Sequence, residues 1–279
     1  MARVGVGILT CNRLDSFRKC LESLPSGDIH ALVIVNDGQA YAESAYQFRH
    51  TPRVIQNEQN LGVCKAKNIA LQALLDAGSE YIFLIEDDIV VRRADVFAKY
   101  IDASRVTGIE HFSFGFHGPA NKGGVSHGTP QPRMQVRYND DVAICLNAAC
   151  VGAFCFYTRH CLEQVGLLDE RFYQAFDHVE HTYRIAKAGL TTPYWWFADI
   201  ADSWEYLDEV ACSEESSVIR FKDPQQWRDN LKSAARYFRE KHGYLPAWEG
   251  AVPDLGQPDV LRQLKTLHDS ARAAKAGAR

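Results

Sequence analysis

Three consecutive acidic residues, Glu86, Asp87 and Asp88, directly follow an apolar run at residues 81–85. The run is short and rich in β-branched and aromatic residues, which predicts a buried strand. Because ionised carboxylates are costly to desolvate, the three acids must lie where this strand leaves the sheet. Ligands of open α/β sheets bind beyond the carboxyl ends of the strands, and hard oxygen donors there suit Mg²⁺ or Mn²⁺ together with phosphates. The stretch predicts a metal–nucleotide site, although acids after a strand also cap helices or face water.

Polar clusters also follow three other predicted strands. The strands and their clusters are residues 4–9 before Thr10-Cys11-Asn12-Arg13, residues 31–35 before Asn36-Asp37-Gly38, and residues 53–56 before Asn57. Apolar residues at helical spacing lie between the strands, at 14–24 and 63–77. This alternation is typical of an α/β fold with a mixed, mostly parallel sheet and helices on both faces. In such a sheet the polar clusters lie along one rim, the edge at the carboxyl ends of the strands. Arg13, Lys65 and Lys67 are near this rim and favour a nucleotide-diphosphate cleft there.

The composition is that of an ordinary globular protein, with 46% hydrophobic and 24% charged residues. The 279 residues predict one large domain, or a domain with an elaborated C-terminal part. The net charge of −4 gives no electrostatic case for a dedicated nucleic-acid binder, although a local basic groove remains open. The eight cysteines form no Cys-x-x-Cys pair, which favours buried free thiols over zinc ligands or a disulfide framework.

The N-terminus leads directly into the first predicted strand, without the pattern of a signal peptide. No apolar run approaches the roughly 18 residues that a membrane span needs. We therefore expect a cytoplasmic, reduced protein without a transmembrane segment.

The second half of the chain is less regular. Its predicted elements are a helix at 94–105, a strand at 111–116, a long loop at 117–133 with His117 and His127, a hairpin of 135–138 and 142–146, strands at 151–157 and 194–200, a helix at 225–242 and a short helix at 260–274. Loops of that length often act as lids or contact substrates. The chain contains no Gly-x-Gly-x-x-Gly and no Walker lysine loop, which disfavours Rossmann dinucleotide and P-loop sites.

The first half resembles the family 2 glycosyltransferases of the GT-A fold. The matching segments are Ile8-Leu9-Thr10-Cys11-Asn12-Arg13, Val35-Asn36-Asp37-Gly38, Asn60-Leu61-Gly62 with Lys67-Asn68, and Glu86-Asp87-Asp88. The resemblance implies that Asp88, with Asp87 or Glu86, holds a Mn²⁺ or Mg²⁺ ion that bridges the diphosphate of a nucleotide sugar.

The same resemblance implies roles for the other matching segments. Asp37 is expected to contact the base, Thr10 and Arg13 to lie beside the nucleoside, and Lys67 to face the donor. The resemblance also assigns Asn12 and Asn68 to the donor site. Family members often carry an aromatic residue where Cys11 stands and a second acid where Asn36 stands, so the resemblance leaves the identity of the base open.

A later segment resembles the acceptor-side half of the same family. On that pattern Asp177 and His178 occupy the family's Glu-Asp pair, and Arg184 occupies its arginine. An inverting transfer needs a group that takes the proton of the acceptor hydroxyl, and either Asp177 or His178 can be that base. Alternatively, Asp177 is a helix N-cap and His178 lies on the surface of the helix.

The resemblance covers residues 4 to about 190 and implies a metal-dependent, inverting glycosyltransferase that uses a nucleotide-diphosphate sugar, in particular a UDP-sugar. The acceptor is expected to be a glycan or another hydroxyl compound; a nucleic-acid acceptor stays open, although the charge does not indicate one. Arg220 and Lys222 are expected to reach the leaving diphosphate if their segment folds over the donor. Two alternatives are a sugar-1-phosphate nucleotidyltransferase, which would need a glycine-rich loop after the first strand, and a non-catalytic nucleotide-sugar-binding protein, which His178 favours.

The expected organisation has three parts. Residues 1–110 form the nucleotide-sugar-binding half, residues 111–222 form the acceptor-binding half of the same GT-A domain, and residues 223–279 form a C-terminal helical extension.

Overall fold

The computed structural model describes residues 2–27, 29–125, 127–210, 223–243 and 254–277. Its strands are β1 (Val4–Thr10), β2 (Ala31–Asn36), β3 (Arg53–Gln56), β4 (Tyr81–Glu86), β5 (Ile89–Val91), β6 (His111–Ser113), β7 (Met134–Arg137), β8 (Ala143–Asn147), β9 (Phe154–Thr158), β10 (Phe197–Ile200) and β11 (Leu207–Glu209). Its helices are α1 (Leu14–Ser23), α2 (Val63–Asp76), α3 (Val96–Thr107), α4 (Arg159–Val165), α5 (Asp177–Lys187), α6 (Ser203–Tyr206), α7 (Pro224–His242) and α8 (Gln257–Gly277), with a short 3₁₀ helix at Glu43–Tyr46.

The central sheet has six strands in the order β3-β2-β1-β4-β9-β6. The first four are parallel to one another, and β9 runs antiparallel to both of its neighbours, β4 and β6. In the register, Ile8 of β1 lies beside Ile34 of β2 and Ile85 of β4. The predicted mixed, mostly parallel sheet is confirmed, and the carboxyl ends of β1, β2 and β4 meet at one edge.

Side chains of the central strands alternate between two apolar layers, because successive strand residues point to opposite faces. One layer contains Ile8, Ile34 and Phe83 and packs against α1 and α3. The other contains Val33, Leu84 and the core residues of α2. The helices therefore cover both faces of the sheet, as the alternation of strand and helix predicts.

The glycines of β1 set the distance between the sheet and α2. A Cβ atom at Gly5 would lie 2.7 Å from the Ser79 Cβ and 3.0 Å from the Leu74 Cδ2. A Cβ atom at Gly7 would lie 3.2 Å from the Ala70 Cβ. The alternation of glycine with larger residues in β1 thus brings α2 close on one face and leaves apolar side chains for α1 on the other.

Two smaller sheets flank the central one. The three-stranded sheet has the order β10-β8-β7, and the β7–β8 hairpin matches the predicted one. The predicted strand at 111–116 is shorter than expected, because β6 ends at Ser113. The chain turns at Gly115, whose missing side chain leaves room for Asn147: a Cβ there would lie 2.5 Å from the Asn147 Nδ2. Strand β11 pairs antiparallel with β5, directly after the three acids.

The C-terminal helices pack against the domain. Helix α8 places Val260 and Leu264 in the same apolar core as α3 and is longer than the predicted short helix. Helix α7 packs Phe238 among Phe172 and Tyr183. The fully buried Glu180 of α5 lies 3.0 Å from the Lys241 Nζ and 3.1 Å from the His242 Nε2, which ties α7 to α5.

The sequence predicts free thiols and no transmembrane segment. Each of the seven cysteines in the described ranges is a free thiol, as the spacing predicts. Across those same ranges, no helix combines the length and the apolar character that crossing a membrane would need.

Candidate active site

The acids after β4 meet the segment after β1 at the edge of the sheet. The Arg13 guanidinium bridges Asp87 and Asp88, at 3.0 Å from the Asp88 Oδ2, and also donates to the Asp87 carboxylate. The Thr10 hydroxyl donates to the Asp87 Oδ2 at 2.7 Å and lies 2.9 Å from the Tyr41 hydroxyl. Burial raises the pKa of Asp87 to about 6, even though the charge of Arg13 acts to lower it. The predicted clustering of Thr10, Arg13, Asp87 and Asp88 is present.

The loop after β6 adds a histidine to this cluster. The His117 Nε2 lies 3.3 Å from the Asp88 Oδ1 and 3.8 Å from the Glu209 Oε2 of β11. Burial alone would raise the pKa of Asp88. The hydrogen bond with His117, the charge of His117 and the charge of Arg13 act in the opposite direction. Together they outweigh burial and hold the pKa of Asp88 below its usual range. Burial would lower the pKa of His117, and its contact with Asp88 outweighs that effect and raises it.

Lys67 of α2 connects the end of β4 with the start of α5. Its Nζ lies 3.0 Å from the Glu86 Oε1 and 3.0 Å from the Asp177 Oδ2, and it donates to the Gly152 carbonyl at 3.3 Å. Burial opposes the charge of Lys67, but the two carboxylates outweigh it and raise the pKa of the lysine. Burial likewise opposes the charge of Asp177, and Lys67 and His178 outweigh it and hold the pKa of Asp177 far below its usual range. Both groups are therefore ionised at neutral pH.

His178 stands beside Asp177 and is the more accessible of the two. Its side chain is 26% exposed, whereas that of Asp177 is 3% exposed. The His178 Nδ1 lies 3.3 Å from the Asp177 Oδ1, and the ring occupies space that a Cβ at Gly152 would fill, 2.5 Å from the His178 Cγ. Helix α5 begins at Asp177, and its N-cap residue is Phe176. The alternative in which Asp177 is the N-cap is therefore wrong, because its carboxylate is bonded to Lys67 instead.

Asp37 and the groups bonded to it, called the Asp37 pocket below, lie next to this cluster, since the Asp37 amide donates to the Thr10 carbonyl at 2.9 Å. Its carboxylate accepts hydrogen bonds from the Asn57 Nδ2 at 2.7 Å, the Leu61 amide at 2.8 Å and the Gly62 amide at 3.0 Å. Asn12 has a positive φ of 56° and accepts a bond from the Gln39 amide at 2.7 Å, which shapes the opposite side. Three backbone or amide donors thus hold Asp37 at the carboxyl end of β2.

The other predicted donor residues lie farther from this pocket or outside the description. Asn68 is bonded to the backbone of Leu168, donating at 2.9 Å and accepting at 3.0 Å, so it holds the segment between α4 and α5 against α2. Arg220 and Lys222 lie outside the described residues.

The donor set at the end of β4 fits a divalent cation that also binds a diphosphate. Within the described ranges, no three His, Cys, Asp or Glu side chains form a complete metal-binding group. Asp87 and Asp88 nevertheless supply adjacent hard carboxylate oxygens, and Mg²⁺ and Mn²⁺ take only one or two protein carboxylates when phosphates and water fill the other positions. Glu86 differs from these two acids, because its carboxylate forms an ion pair with Lys67.

Three site residues were not expected from the sequence. Tyr41 comes from the irregular chain before the 3₁₀ helix, His117 was only one of two loop histidines, and Glu209 lies in an unpredicted strand. The only signal for His117 was its position in an unusually long loop, since no periodic pattern marks any of the three.

A family model matches the part of the chain that carries Asp37, Lys67, Asp87 and Asp88. The model is described as glycosyl transferase family 2, and it matches residues 6–165. The chain belongs to glycosyl transferase family 2. It is a glycosyltransferase, and membership of the family favours this activity over the nucleotidyltransferase and binding-protein alternatives. No curated protein sequence matches the chain.

Solved glycosyltransferase structures have a similar fold. S. aureus TarS 1–349 is 13% identical with a TM-score of 0.50, over 97% of this chain and 87% of that one. The same fragment in complex with UDP-GlcNAc is 13% identical with a TM-score of 0.52, over 95% and 80%. GalNAc-T7 with UDP, GalNAc and Mn²⁺ is 14% identical with a TM-score of 0.50, over 68% of this chain and 41% of that one. The GT-A fold expected for this family 2 member is confirmed.

Proposed function

We propose that this glycosyltransferase moves a sugar from a nucleotide-diphosphate sugar, in particular a UDP-sugar, to an acceptor hydroxyl with inversion. The observation that carries the proposal is the arrangement around Asp87 and Asp88 at the edge of the sheet. Thr10 links them to Asp37 on one side, because it bonds both Asp87 and the Asp37 amide. On the other side, Lys67 links the neighbouring Glu86 to Asp177. The solved complexes of TarS with UDP-GlcNAc and of GalNAc-T7 with UDP, GalNAc and Mn²⁺ support a donor of this class.

The donor side of the proposal uses the ends of β1, β2 and β4. Asp37, with Asn12 and Thr10 nearby, would bind the nucleoside, and Asp87 and Asp88 would hold the Mn²⁺ or Mg²⁺ ion. When bound, the ion would neutralise the charge that develops on the leaving diphosphate. Arg13, which now pairs with both carboxylates, would turn its guanidinium to the phosphates, since a planar fork suits phosphate oxygens.

The acceptor side of the proposal assigns the base to His178. Asp177 is almost fully buried, paired with Lys67 and strongly acidic, so its carboxylate is a weak proton acceptor. Imidazole is the side chain best suited to accept a proton near neutral pH. His178 would take the acceptor's proton as the hydroxyl oxygen attacks the anomeric carbon and the bond to the diphosphate breaks. Asp177 would orient the ring through Nδ1.

Replacing Asp88 tests the donor site. We expect Asp88→Asn to lower the transfer rate by about 100-fold or more, because removing a group that stabilises charge in the transition state has effects of that order. Mn²⁺-dependent binding of UDP, measured by calorimetry, should weaken as well. Asp95→Asn is the matched control, because the Asp95 carboxylate is paired with the nearby Arg93 on the surface. Unchanged transfer and UDP binding in Asp88→Asn would remove the metal assignment.

Replacing the two candidate bases separately tests the acceptor side. We expect His178→Gln to lower the transfer rate by about 100-fold or more while UDP still binds, since general-base catalysis is worth roughly that factor. Asp177→Asn should retain more activity, because it leaves the imidazole in place. The assignment is reversed if Asp177→Asn loses turnover while His178→Gln keeps the full rate.

The same proposal gives the three parts of the chain their roles. Residues 1–110 would bind the donor, residues 111–222 would bind a glycan or another hydroxyl acceptor, and residues 223–279 would support the acceptor side. Helix α7 contacts Glu180 and Asp169, and both acids lie in the segment that carries Asp177 and His178. This contact supports the role proposed for residues 223–279.

A further inference from the structure

Tyr173 is an aromatic residue that stays accessible at the edge of the Asp37 pocket. The residue is 39% exposed, although its ring is large and apolar. It belongs to the segment just before α5, so it reaches the pocket from the acceptor side of the chain. The Tyr173 hydroxyl donates to the Asn60 Oδ1 at 2.9 Å, which fixes the direction of the ring.

The ring lies directly against the loop that surrounds Asp37. A Cβ at Gly62 would collide with the ring carbons Cδ2 and Cε2 of Tyr173 and would lie 2.8 Å from its carbonyl oxygen. Gly62 also has a φ of 87° and donates its amide to the Asp37 Oδ2. The absence of a side chain at Gly62 therefore lets the ring approach the pocket while the loop holds Asp37.

The groups around the ring are those of the proposed base pocket. The Asn60 Nδ2 donates to the Asp37 carbonyl at 3.0 Å and lies 3.4 Å from the Cys11 Sγ. Burial, followed by the charge of Asp37, raises the pKa of Tyr173, so its hydroxyl remains a neutral donor at physiological pH. Asp37, Asn57 and Asn60 supply polar atoms, and the ring of Tyr173 supplies a flat apolar face.

A nucleobase needs both kinds of surface. Its edge forms hydrogen bonds, and its planar faces bind well to aromatic rings. We infer that Tyr173 is a nucleotide-binding residue whose ring stacks on the base of the donor. This inference rests on the proposed function, because it places the base beside Asp37. It adds a contact that joins the donor to the acceptor-side segment.

Two substitutions separate stacking from simple packing. Tyr173→Leu keeps apolar volume and removes the aromatic face, whereas Tyr173→Phe keeps the face and removes the bond to Asn60. With Mn²⁺ present, we expect calorimetry to show UDP binding roughly ten-fold weaker in Tyr173→Leu and within about three-fold of the native value in Tyr173→Phe. Inorganic pyrophosphate, which has no base, should bind equally to all three proteins, and their melting temperatures should agree.

The outcomes distinguish this inference from the proposed function. If the native protein binds none of UDP, CDP, GDP and ADP, the proposed function fails. If it binds one of them and Tyr173→Leu binds that nucleotide equally well, stacking by Tyr173 is overturned. Equal losses for the nucleotide and for pyrophosphate would also overturn stacking, because they would show that residue 173 acts by shaping the loop.

Discussion

At the scale of single residues, Lys67 organises the site. The family resemblance implies that Lys67 faces the donor, and the structure places its side chain buried between Glu86 and Asp177. A buried charge is tolerated only when partners and hydrogen bonds replace water, and the Gly152 carbonyl completes this set. Lys67 therefore keeps Asp177 ionised and fixes the start of α5 relative to the end of β4.

We expect Lys67→Met to lower the free energy of unfolding by about 3 kcal/mol, since removing one partner of a buried pair leaves an uncompensated charge. Urea denaturation at neutral pH measures the effect. Lys65→Met is the control, because Lys65 is exposed on the same helix and should change stability by less than about 0.5 kcal/mol. Equal stability of the two variants would mean that the contacts of Lys67 are not stabilising.

The sequence predicts part of the site for a physical reason. Asp37, Asp87 and Asp88 directly follow apolar strands, and strand ends are local patterns that sequence reasoning can read. Tyr41 and His117 come from irregular segments, and their contacts with Thr10 and Asp88 depend on how distant parts of the chain pack. Their positions become visible only when the sheet is assembled.

At the scale of elements, β1 occupies the middle of the parallel strands and is shaped by its glycines. The alternating pattern of Val4-Gly5-Val6-Gly7 puts branched side chains on the α1 face and none on the α2 face. The sequence pattern predicts the parallel strands and the helices between them. It does not predict that β9 lies antiparallel beside β4, because a strand buried on both faces has the same apolar pattern in either direction.

We expect Gly5→Ala to destabilise the protein by about 1–3 kcal/mol, the usual range for an overpacked core. The new methyl group would meet Ser79 and Leu74, so α2 would have to move away from β1. Gly27→Ala is the control, because a Cβ there meets nothing within 4 Å. Thermal denaturation compares the two, and an unchanged melting temperature for Gly5→Ala would contradict the close packing.

At the scale of the whole molecule, α8 is part of the central core. Val260 and Leu264 are buried with residues of α3, and the α8 backbone at Leu267 packs closely on Gly108. The sequence predicts only a short helix at 260–274, whereas α8 spans Gln257–Gly277. Its partner surface on α3 lies far away in the sequence, so only the folded structure reveals their contact.

We expect Leu264→Ala to lower the free energy of unfolding of the whole chain by about 2–5 kcal/mol, the usual effect of replacing a buried leucine by alanine. Leu261→Ala is the control on the same helix, since Leu261 is 44% exposed and Leu264 is 2% exposed. Denaturant titrations followed by circular dichroism and by tryptophan fluorescence should show one coincident transition for both variants. A separate early transition for the helix would contradict a shared core.

The antiparallel strand β9 also limits how this enzyme can be recombined with its relatives. Because β9 is hydrogen-bonded between β4 and β6, a chimera joined near residue 110 must align a foreign strand with β4. A slip of one residue in that alignment would exchange Phe156 and Tyr157 between the two apolar layers. Grafting the β7–β8 hairpin would leave the six-stranded sheet intact, but the foreign β8 would then have to keep its register with β10.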